Sequence, residues 1–541
     1  MKKVNRFFRV FLVFMLIVTL QIRVIPILAE EDEGTGGIAL NKQTLSLQVG
    51  SKKKLSVKGI DEKVTWESSK EKVATVSSDG TVTGREAGTT VVTAMLNSGE
   101  KASCKVTVTN KTIRVLLKTT GFSSEYHGSV TLTSDKKFTV SNGKKTKTYK
   151  AGKYVTIKKN YALLKGGKSL TVKAESNGKI KITSISRTQG TPSYRGSIVV
   201  QYVSGKGLTL VNHVPLEYYL YSVVGSEMSS SFSKEALKAQ AVTARSYAYA
   251  SLNSSKYANL KADVDDSTSY QVYNNIKEDS NVISAVNATK NIVIKSGDDI
   301  LKTYFFSTSF GETALPSEVW SGEKEDKYYN NVEQVKNGDT LDLSSNVKFE
   351  AFIKEKSKKH FDRNVDWYRW SAEISKKNLQ KQINGKLSLC YAMYPSYVKV
   401  KQSDGSYKSK VIASVGDLKN VEVVSRTKSG MVGNLEIVGS KATVQVSNAS
   451  AVRTLMAPTY NAIVKNNGAK VSNHSMLPSA YFSITKTTSG SAVTFHIIGG
   501  GYGHNVGMSQ NGANQMAKEG HDYENILKHY YKNIRVVHVL D

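Results

Sequence analysis

A clear helical period occurs between long segments that alternate like β-strands. From Ser233 to about Leu252, small and apolar residues recur at i, i+4, i+7 and i+11, on one face of an α-helix: Leu237, Ala241, Ala244 and Ala248. Ser233 fits the N-cap of this helix, and Glu235 in its first turn suits the helix dipole. Because short apolar–polar alternations dominate the rest of the chain, the sequence predicts a mixed α+β fold.

Residues 37–109 repeat short strands at close spacing. Leu45–Val49 alternates between apolar and polar residues, and Asp79-Gly80 is a hairpin signal between two further alternations. Strands of this length and spacing predict a β-sandwich at the N-terminal end of the chain.

The remainder predicts a larger mixed region. Strand-like alternation covers residues 111–212. Further along, the pattern predicts a helix over 279–291, a strand over 299–306, partly helical structure over 349–384, strands over 421–446 and a last helix over 511–531.

The N-terminus has the pattern of a secretory signal. Lys2, Lys3, Arg6 and Arg9 precede a short apolar run, and Ala29 stands just before an acidic stretch. The run from Val10 to Leu20 is well short of the ~20 residues that span a bilayer. We therefore expect residues 1–29 to be a signal peptide and the protein to be secreted or cell-wall-associated. An uncleaved N-terminal anchor is the alternative, because Arg23 interrupts the pattern.

The chain is strongly basic. It has 75 Lys and Arg against 45 Asp and Glu, a formal net charge of +30. A charge of this size attracts polyanions such as nucleic acid, anionic lipid or anionic wall polymers. Since no nucleic-acid-binding motif accompanies the charge and the N-terminus predicts export, we expect no nucleic-acid partner.

Glu227 is the candidate acid/base of the sequence. It follows the apolar segment Tyr221–Val224 and precedes the serine-rich entry to the predicted helix. Apolar neighbours disfavour the charged form of a carboxyl group, and a glutamic acid that stays protonated near neutrality can donate to a leaving oxygen. From the residues alone, two structural roles compete: Glu227 caps the helix, or it pairs with Arg245.

Three other stretches attract attention. Residues 496–531 hold a glycine-rich loop with Tyr502 and His504, but they lack a phosphate-loop or dinucleotide pattern. Residues 303–320 place hydroxyl side chains around Gly311. Residues 263–275 are rich in Asp but lack the EF-hand glycine and glutamate, and no zinc motif occurs. The sequence therefore predicts neither a metal nor a cofactor.

Taken together, these stretches resemble the SpoIID/LytB family. The resemblance is carried by PLEYYLYSVVGSEM, SFSKEALKAQAVTARSYA, YFFSTSFGET, RTKSGMVGNLEIVG and, most specifically, GGGYGHNVGMSQNGANQMAKEG. It assigns residues 111–541 to a SpoIID/LytB-like domain with core motifs at 214–320 and 496–537. The string VTWESSKEKVATVSSDGTVTGREAGTTVVTA resembles a Big2-type bacterial Ig-like domain and assigns residues 37–109 to it.

The family resemblance implies a lytic transglycosylase that cleaves the glycan strands of peptidoglycan. The catalytic glutamate of the family carries over onto Glu227, acting as a single acid/base. The resemblance also suggests side chains that contact sugar or shape the cleft: Gln240, Arg245, Ser309, Tyr502, His504 and Gln510.

The sequence departs from the family pattern in places. Ser229 stands where family members usually have proline, Phe310 stands where a second glycine is usual, and the zinc ligands of some members are missing from residues 263–275. The alternatives are a non-catalytic wall-binding protein that stimulates an N-acetylmuramoyl-L-alanine amidase and, from the Ig-like domain alone, an adhesin. Expected partners are glycan strands, anionic wall polymers and a wall amidase.

Overall fold

A computed structural model describes residues 38–59, 62–164, 169–274, 277–323, 326–355 and 358–541. The chain divides into two compact units: the first holds most residues up to Val108, and the second runs from Thr109 to Asp541. The predicted signal at residues 1–29 lies outside the described residues. Within the described ranges, no helix is both long enough and apolar enough to cross a membrane.

The first unit is built from strands alone in its described residues. These are β1 (Thr44–Gln48), β2 (Lys52–Lys54), β3 (Thr65–Ser68), β4 (Ala74–Val76), β5 (Thr81–Gly84), β6 (Gly88–Met95) and β7 (Lys101–Thr109). They form sheets of order β1-β7-β6-β3 and β2-β5-β4. The predicted hairpin turn requires glycine: Gly80 has φ +81°, and a Cβ there would lie 2.4 Å from the Leu55 carbonyl oxygen.

The second unit begins with a β-rich region. Its strands are β8 (Thr112–Leu116), β9 (Val130–Ser134), β10 (Phe138–Ser141), β11 (Thr146–Tyr149), β12 (Val155–Ile157), β13 (Leu170–Ala174), β14 (Ile180–Ile182), β15 (Ser193–Tyr194), β16 (Ser197–Val203) and β17 (Gly207–Pro215). One sheet has the order β11-β10-β13-β16-β17-β8, and the other has the order β12-β9-β14-β15. Alternate side chains of both sheets fill one apolar core.

Helices then pack onto this core. They are α1 (Leu216–Glu227), α2 (Lys234–Ala250) and α3 (Ser280–Ala288), and the short strand β18 (Val264–Asp265) pairs in parallel with β8. The predicted helices over 233–252 and 279–291 are both present. Leu237, Ala241, Ala244 and Ala248 are buried together in the core, as their spacing predicts.

A second mixed region completes the unit. It contains β19 (Ile292–Ser296), β20 (Asp299–Ile300), β21 (Phe305–Phe306), α4 (Pro316–Val319), α5 (Asn346–Lys354), β22 (Trp370–Ser375), α6 (Lys376–Met393), β23 (Val398–Lys401), β24 (Tyr407–Ser409), β25 (Leu418–Arg426), β26 (Val432–Gly439), β27 (Thr443–Ser447), α7 (Ala449–Met456), β28 (Ile463–Lys465), β29 (Lys470–Val471), β30 (Phe482–Ser489) and β31 (Ala492–Gly499). The strand predicted over 299–306 is wrong as one element, since it appears as β20 and β21.

The C-terminal helix prediction is also wrong as one element. The chain forms β32 (Met508–Ser509), α8 (Gln510–Lys518), α9 (Tyr523–Tyr530) and β33 (Arg535–His538). Gly520 adopts φ +92° and ends α8, and the Asp522 side chain then caps α9 by accepting a hydrogen bond from the Asn525 NH. The α+β fold class, with an N-terminal Ig-like region, is confirmed.

Candidate active site

Glu227 is the last residue of α1. This helix is buried along most of its length, and it ends because Met228 turns to an extended conformation while its NH still bonds to the Val224 carbonyl. Glu227 itself is only partly buried. The helix therefore fixes the backbone of Glu227 firmly in the core and leaves its carboxyl group at the edge of the apolar interior.

Two hydrogen-bond donors hold the carboxyl group of Glu227. Oε1 accepts from the backbone NH of Val272 at 2.8 Å, and Oε2 accepts from Nε2 of Gln510 at 3.5 Å. Burial raises the pKa of Glu227 to about 7, and these two donors oppose the rise. Within the described part of the chain, no neighbouring charge is among the causes of the shift. At neutral pH the group is thus poised between its acid and carboxylate forms.

The backbone donor is positioned by the residue before it. Gln271 accepts a hydrogen bond from the hydroxyl of Tyr219 on α1 at 3.2 Å and donates to the Ala244 carbonyl on α2 at 3.2 Å. These bonds fasten the segment that carries Val272 to both helices, so its NH stays aimed at Glu227.

Gln510 reaches Glu227 from the far end of the sequence. It is the first residue of α8, whose N-cap Ser509 accepts a hydrogen bond from the Gly512 NH at 3.1 Å. The side chain of Asn514, one turn later, accepts from the NH of Ser233 at the start of α2 at 2.8 Å. The two most specific sequence motifs are therefore packed together, and Gln510 is the predicted residue that the structure places directly on Glu227.

Arg245 does not pair with Glu227, so that alternative is wrong. Its guanidinium binds the Glu217 carboxylate through two hydrogen bonds, of 2.9 and 2.7 Å, and also donates to the carbonyls of Ile292 and Val286. Arg245 is completely buried. The structure thus places it in the layer that joins α1, α2 and α3.

Gln240 and Ser309 are fully buried as well. The Ser309 hydroxyl donates to the Glu312 carbonyl at 2.9 Å and accepts from the Gly311 NH at 3.0 Å, so it shapes its own loop. The amide of Gln240 has no hydrogen-bond partner among the described residues. Direct contact of these side chains with a sugar stays a prediction.

His504 belongs to a group of aromatic rings. Its ring centroid lies 4.9 Å from that of Trp320 and 6.3 Å from that of Tyr304. Burial, followed by the charge of Arg453, lowers the pKa of His504 to about 3. The neutral ring accepts from the Val506 NH on Nδ1 at 3.1 Å, which leaves its proton on Nε2.

The aromatic group continues to Tyr247, and Tyr502 forms a separate pair with Trp367. Tyr304 lies 6.1 Å, centroid to centroid, from Tyr247. Burial and, to a smaller extent, nearby charges that include Glu227 raise the pKa of Tyr247. Tyr502, with 38% of its surface exposed, lies 5.2 Å from the partly buried ring of Trp367. We call these five partly exposed rings the aromatic strip: Tyr304, Trp320, Trp367, Tyr502 and His504. Flat rings of this kind can stack against the CH faces of sugars.

The aspartates of residues 263–275 are engaged in the fold. Asp263 pairs with Arg114, Asp266 pairs with the buried Arg187, and Asp265 accepts hydrogen bonds from Tyr257 and Ser267. No cluster of three or more His, Cys, Asp or Glu suited to a metal ion occurs in the described ranges.

Asp362 was not predicted from the sequence. It is fully buried, and its Oδ1 accepts from the Ser309 NH at 3.0 Å and from the Ser509 hydroxyl at 2.7 Å. It therefore joins the loop after β21 to the start of α8, one residue from Gln510. Nothing local marks it, because both of its partners are distant in sequence. Trp320 and Tyr304, in contrast, lie within the motif at 303–320 and could have been found there.

Three parts of the chain match known families. Residues 204–295 match the stage II sporulation protein family (SpoIID), residues 36–106 match the bacterial Ig-like domain of group 2, and residues 314–507 match a domain of unknown function. Glu227, Gln240 and Arg245 lie inside the first match, and Tyr502 and His504 lie inside the third. The resemblance to SpoIID and to the Big2 domain is confirmed.

Curated relatives match across about three fifths of the chain. The amidase enhancer of Bacillus subtilis is 30% identical over 321 residues, which are 58% of this chain and 39% of that protein. An uncharacterized protein of Brachyspira hyodysenteriae is 28% identical over 61% of this chain and 68% of its own length. Stage II sporulation protein D of Bacillus subtilis is 25% identical over 60% of this chain and 75% of its own length. The chain thus spans about two fifths of the amidase enhancer.

Proposed function

We propose that this chain, which carries a SpoIID segment and a group 2 Ig-like domain, is an exported peptidoglycan lytic transglycosylase with Glu227 as its single acid/base. The relatives support a function at the cell wall. The observation that carries the enzymatic part is the state of Glu227: a partly buried carboxyl whose pKa is raised to about 7 beside two neutral donors.

The chemistry needs one group that first gives and then takes a proton. Protonated Glu227 donates to the glycosidic oxygen as the bond from that oxygen to C1 of muramic acid breaks. The resulting carboxylate then removes the proton from the C6 hydroxyl of the same sugar, and O6 bonds to C1. The product is a 1,6-anhydro ring, no water is consumed, and Glu227 ends in the protonated form in which it began.

The surroundings of Glu227 suit both halves of this cycle. The apolar environment favours the acid that starts it, and the donors Val272 and Gln510 stabilise the carboxylate formed midway. Hydrolysis with inversion or retention would need a second carboxylate at a set separation. The pKa of Glu227 responds to burial and to two neutral donors rather than to such a partner, among the described residues.

The aromatic strip supplies the sugar-binding part of the proposal. Tyr502 and Trp367 expose adjacent rings, and Tyr304 packs against the rings of Trp320, His504 and Tyr247. A glycan strand lying along these rings would be oriented by stacking against them. Gln240, Arg245 and Ser309 support the cleft from beneath in this proposal.

A second candidate is stimulation of a wall amidase without catalysis. The 30% identity with a protein named amidase enhancer favours it. In this case the strip binds glycan and presents it to the amidase, and Glu227 does no chemistry.

Mass analysis of digested glycan separates the two candidates. Purified protein is incubated with glycan strands, with and without stem peptides, and compared with its Glu227→Gln form. We expect 1,6-anhydromuramic ends from the wild type and a rate about 10²–10⁴-fold lower from the variant, since general acid–base groups contribute that much. Glu373→Gln is the matched control, because this side chain is largely exposed. Intact glycan in every sample, together with faster cleavage by an added amidase, would favour the second candidate.

A further inference from the structure

Residues 136–174 concentrate the positive charge of the chain. This stretch of 39 residues contains 12 Lys and no Arg, Asp or Glu. Its ten described lysines are all exposed, and among them only Lys137 forms an ion pair, with Glu175 at 2.9 Å, in the described structure. Surfaces of soluble proteins usually intersperse both signs of charge. A run of positive charges carried by lysine alone therefore indicates a negatively charged partner.

The fold brings part of this stretch together at one edge of a sheet. β11 is the edge strand next to β10, and the turn between them is held by Asn142, whose Oδ1 accepts from the NH groups of Lys144 and Lys145 at 3.1 and 2.8 Å. Both lysines project from this capped turn. Lys147 follows on β11 itself, and Lys150 comes directly after that strand.

A second segment is fastened beside this hairpin. The hydroxyls of Tyr149 and Tyr161 lie 2.9 Å apart, and the Asn142 amide donates to the Leu163 carbonyl at 3.1 Å. Nζ of Lys147 lies 5.9 Å from the centre of the Tyr161 ring. Lys158 and Lys159 enter the same turn, since the Lys158 carbonyl accepts from the Tyr161 NH. We call this set the lysine surface: Lys144, Lys145, Lys147, Lys150, Lys158 and Lys159.

Protection of an edge strand explains only part of this charge. Lysines on exposed edges prevent unwanted strand pairing. That role needs charges on the strand, and only Lys147 of the lysine surface lies within β11. The other five lie on the turns and segments around it.

We propose that the lysine surface binds a flexible, phosphate-bearing polymer of the cell wall. Lys presents a mobile point charge and suits a partner recognised by charge density alone, whereas planar forks of Arg and rows of exposed rings suit bases. Within the described part of residues 136–174, Tyr154 is the one strongly exposed ring, at 62%. The choice of a wall polymer over nucleic acid rests on the proposed function; the binding itself does not depend on Glu227.

Binding to isolated Bacillus subtilis walls tests the proposal. The full chain carrying Glu227→Gln is used, so that the walls stay intact, and six Lys→Gln changes neutralise the lysine surface. The control neutralises six other exposed lysines of the second unit and so has the same net charge: Lys377, Lys399, Lys401, Lys408, Lys410 and Lys419. Sedimentation at salt from about 0.05 to 1 M gives the affinity and its salt slope.

We expect the lysine-surface variant to bind about tenfold or more weakly at ~0.15 M salt, with a shallower salt slope, while the control loses at most about twofold. Walls stripped of phosphate polymers by acid should bind wild type and variant equally. An equal loss of wall affinity in the lysine-surface variant and in the control would show that only total charge matters. That result would overturn the proposal. Tighter, salt-sensitive binding to duplex DNA or to anionic vesicles than to walls would overturn it in favour of those partners.

Two measurements keep this result separate from the proposed function. Thermal unfolding shows whether the six surface changes leave the fold intact. Glycan cleavage by the lysine-surface variant with native Glu227 should match the wild-type rate on soluble strands. Loss of wall binding with retained cleavage supports the proposal, and wall binding retained by the variant would overturn it. Absence of cleavage by the wild type, with its wall binding intact, would count against the transglycosylase alone.

Discussion

A carboxyl group that gives a proton to one sugar oxygen and takes a proton from another works best with a pKa near the surrounding pH. For Glu227, burial raises the pKa to about 7, and the donors Val272 and Gln510 hold it from rising further. These donors occupy different oxygens. The environment therefore stabilises both protonation states instead of trapping one.

Strand cleavage should fall as pH rises through about 7, because the first step uses the protonated form of Glu227. Gln510→Ala removes a donor to the carboxylate, so the pKa of Glu227 rises. The alkaline limb of the pH–rate profile should therefore shift to higher pH by about 0.5–1 unit. Rates measured between about pH 5 and 9 give this limb. Gln515→Ala, on the same helix but bonded to Glu519, is the control and should leave the profile unchanged.

The same pKa predicts how the stability of the fold depends on pH. The value in the folded chain, about 7, lies above the ordinary 4.5, so the unfolded chain releases this proton first. The stabilising contribution is complete below about pH 4.5 and is lost as pH rises through about 7. Denaturant unfolding gives the free energy of unfolding at pH 5 and at pH 8. Between these values it should fall less for Glu227→Gln than for the wild type. An equally large fall in the variant would contradict the shifted pKa.

At the scale of elements, the site depends on how α1 meets α2. Arg245 and Glu217 join these helices through a buried two-bond ion pair, and Arg245 also reaches the carbonyl of Val286 on α3. Since α1 ends at Glu227, this pair fixes the helix that presents the carboxyl group. Arg245 is thus a positioning residue for Glu227.

Arg245→Met should lower the free energy of unfolding by about 3–5 kcal/mol, because it leaves the Glu217 carboxylate buried without its partner. Adding Glu217→Gln should restore much of that loss. Lys238→Met, which removes a partly exposed pair with Glu235 on the same helix, should cost at most about 1 kcal/mol. Denaturant titrations measure all of these variants. A double variant that regains stability but cleaves glycan more slowly than the wild type would support the positioning role of Arg245.

Local pattern predicted the elements better than it predicted their partners. The period of α2 and the alternation of the strands depend only on residues close together in the sequence, so both could be predicted. The break at Gly520 was missed because the apolar period continues across it into α9. The hydrogen bond between Glu227 and Gln510 joins residues 283 positions apart. The family resemblance identified both residues, but only the folded chain shows that they are in contact. Only the folded chain, too, shows that Arg245 pairs with Glu217.

At the scale of the whole chain, different tasks fall on different stretches of sequence. The proposed acid/base and the aromatic strip draw on residues from 227 to 510, whereas the lysine surface lies within 144–159 and the Ig-like unit ends near Val108. Because the lysine surface contains none of the residues that hold Glu227, we expect mutations to alter the proposed wall retention and the proposed strand cleavage separately.

We predict that residues 110–541 fold and cleave glycan without the first unit. The large apolar clusters of the second unit are built from residues 113–531, and the first unit buries its own set, which includes Leu45, Val82, Val92 and Val106. Each unit therefore has the core that an independent domain needs.

Calorimetry and cleavage assays on the shortened chain test this division. The fragment should unfold in a transition matching the second unit of the full chain and should cleave soluble strands within about twofold of the full-length rate. Residues 38–108 made alone should show one cooperative transition. An insoluble 110–541 fragment, or one inactive where the full chain cleaves, would mean that the second unit needs the Ig-like unit to fold or to act. A slower rate on intact walls alone would assign the Ig-like unit to engagement with the wall.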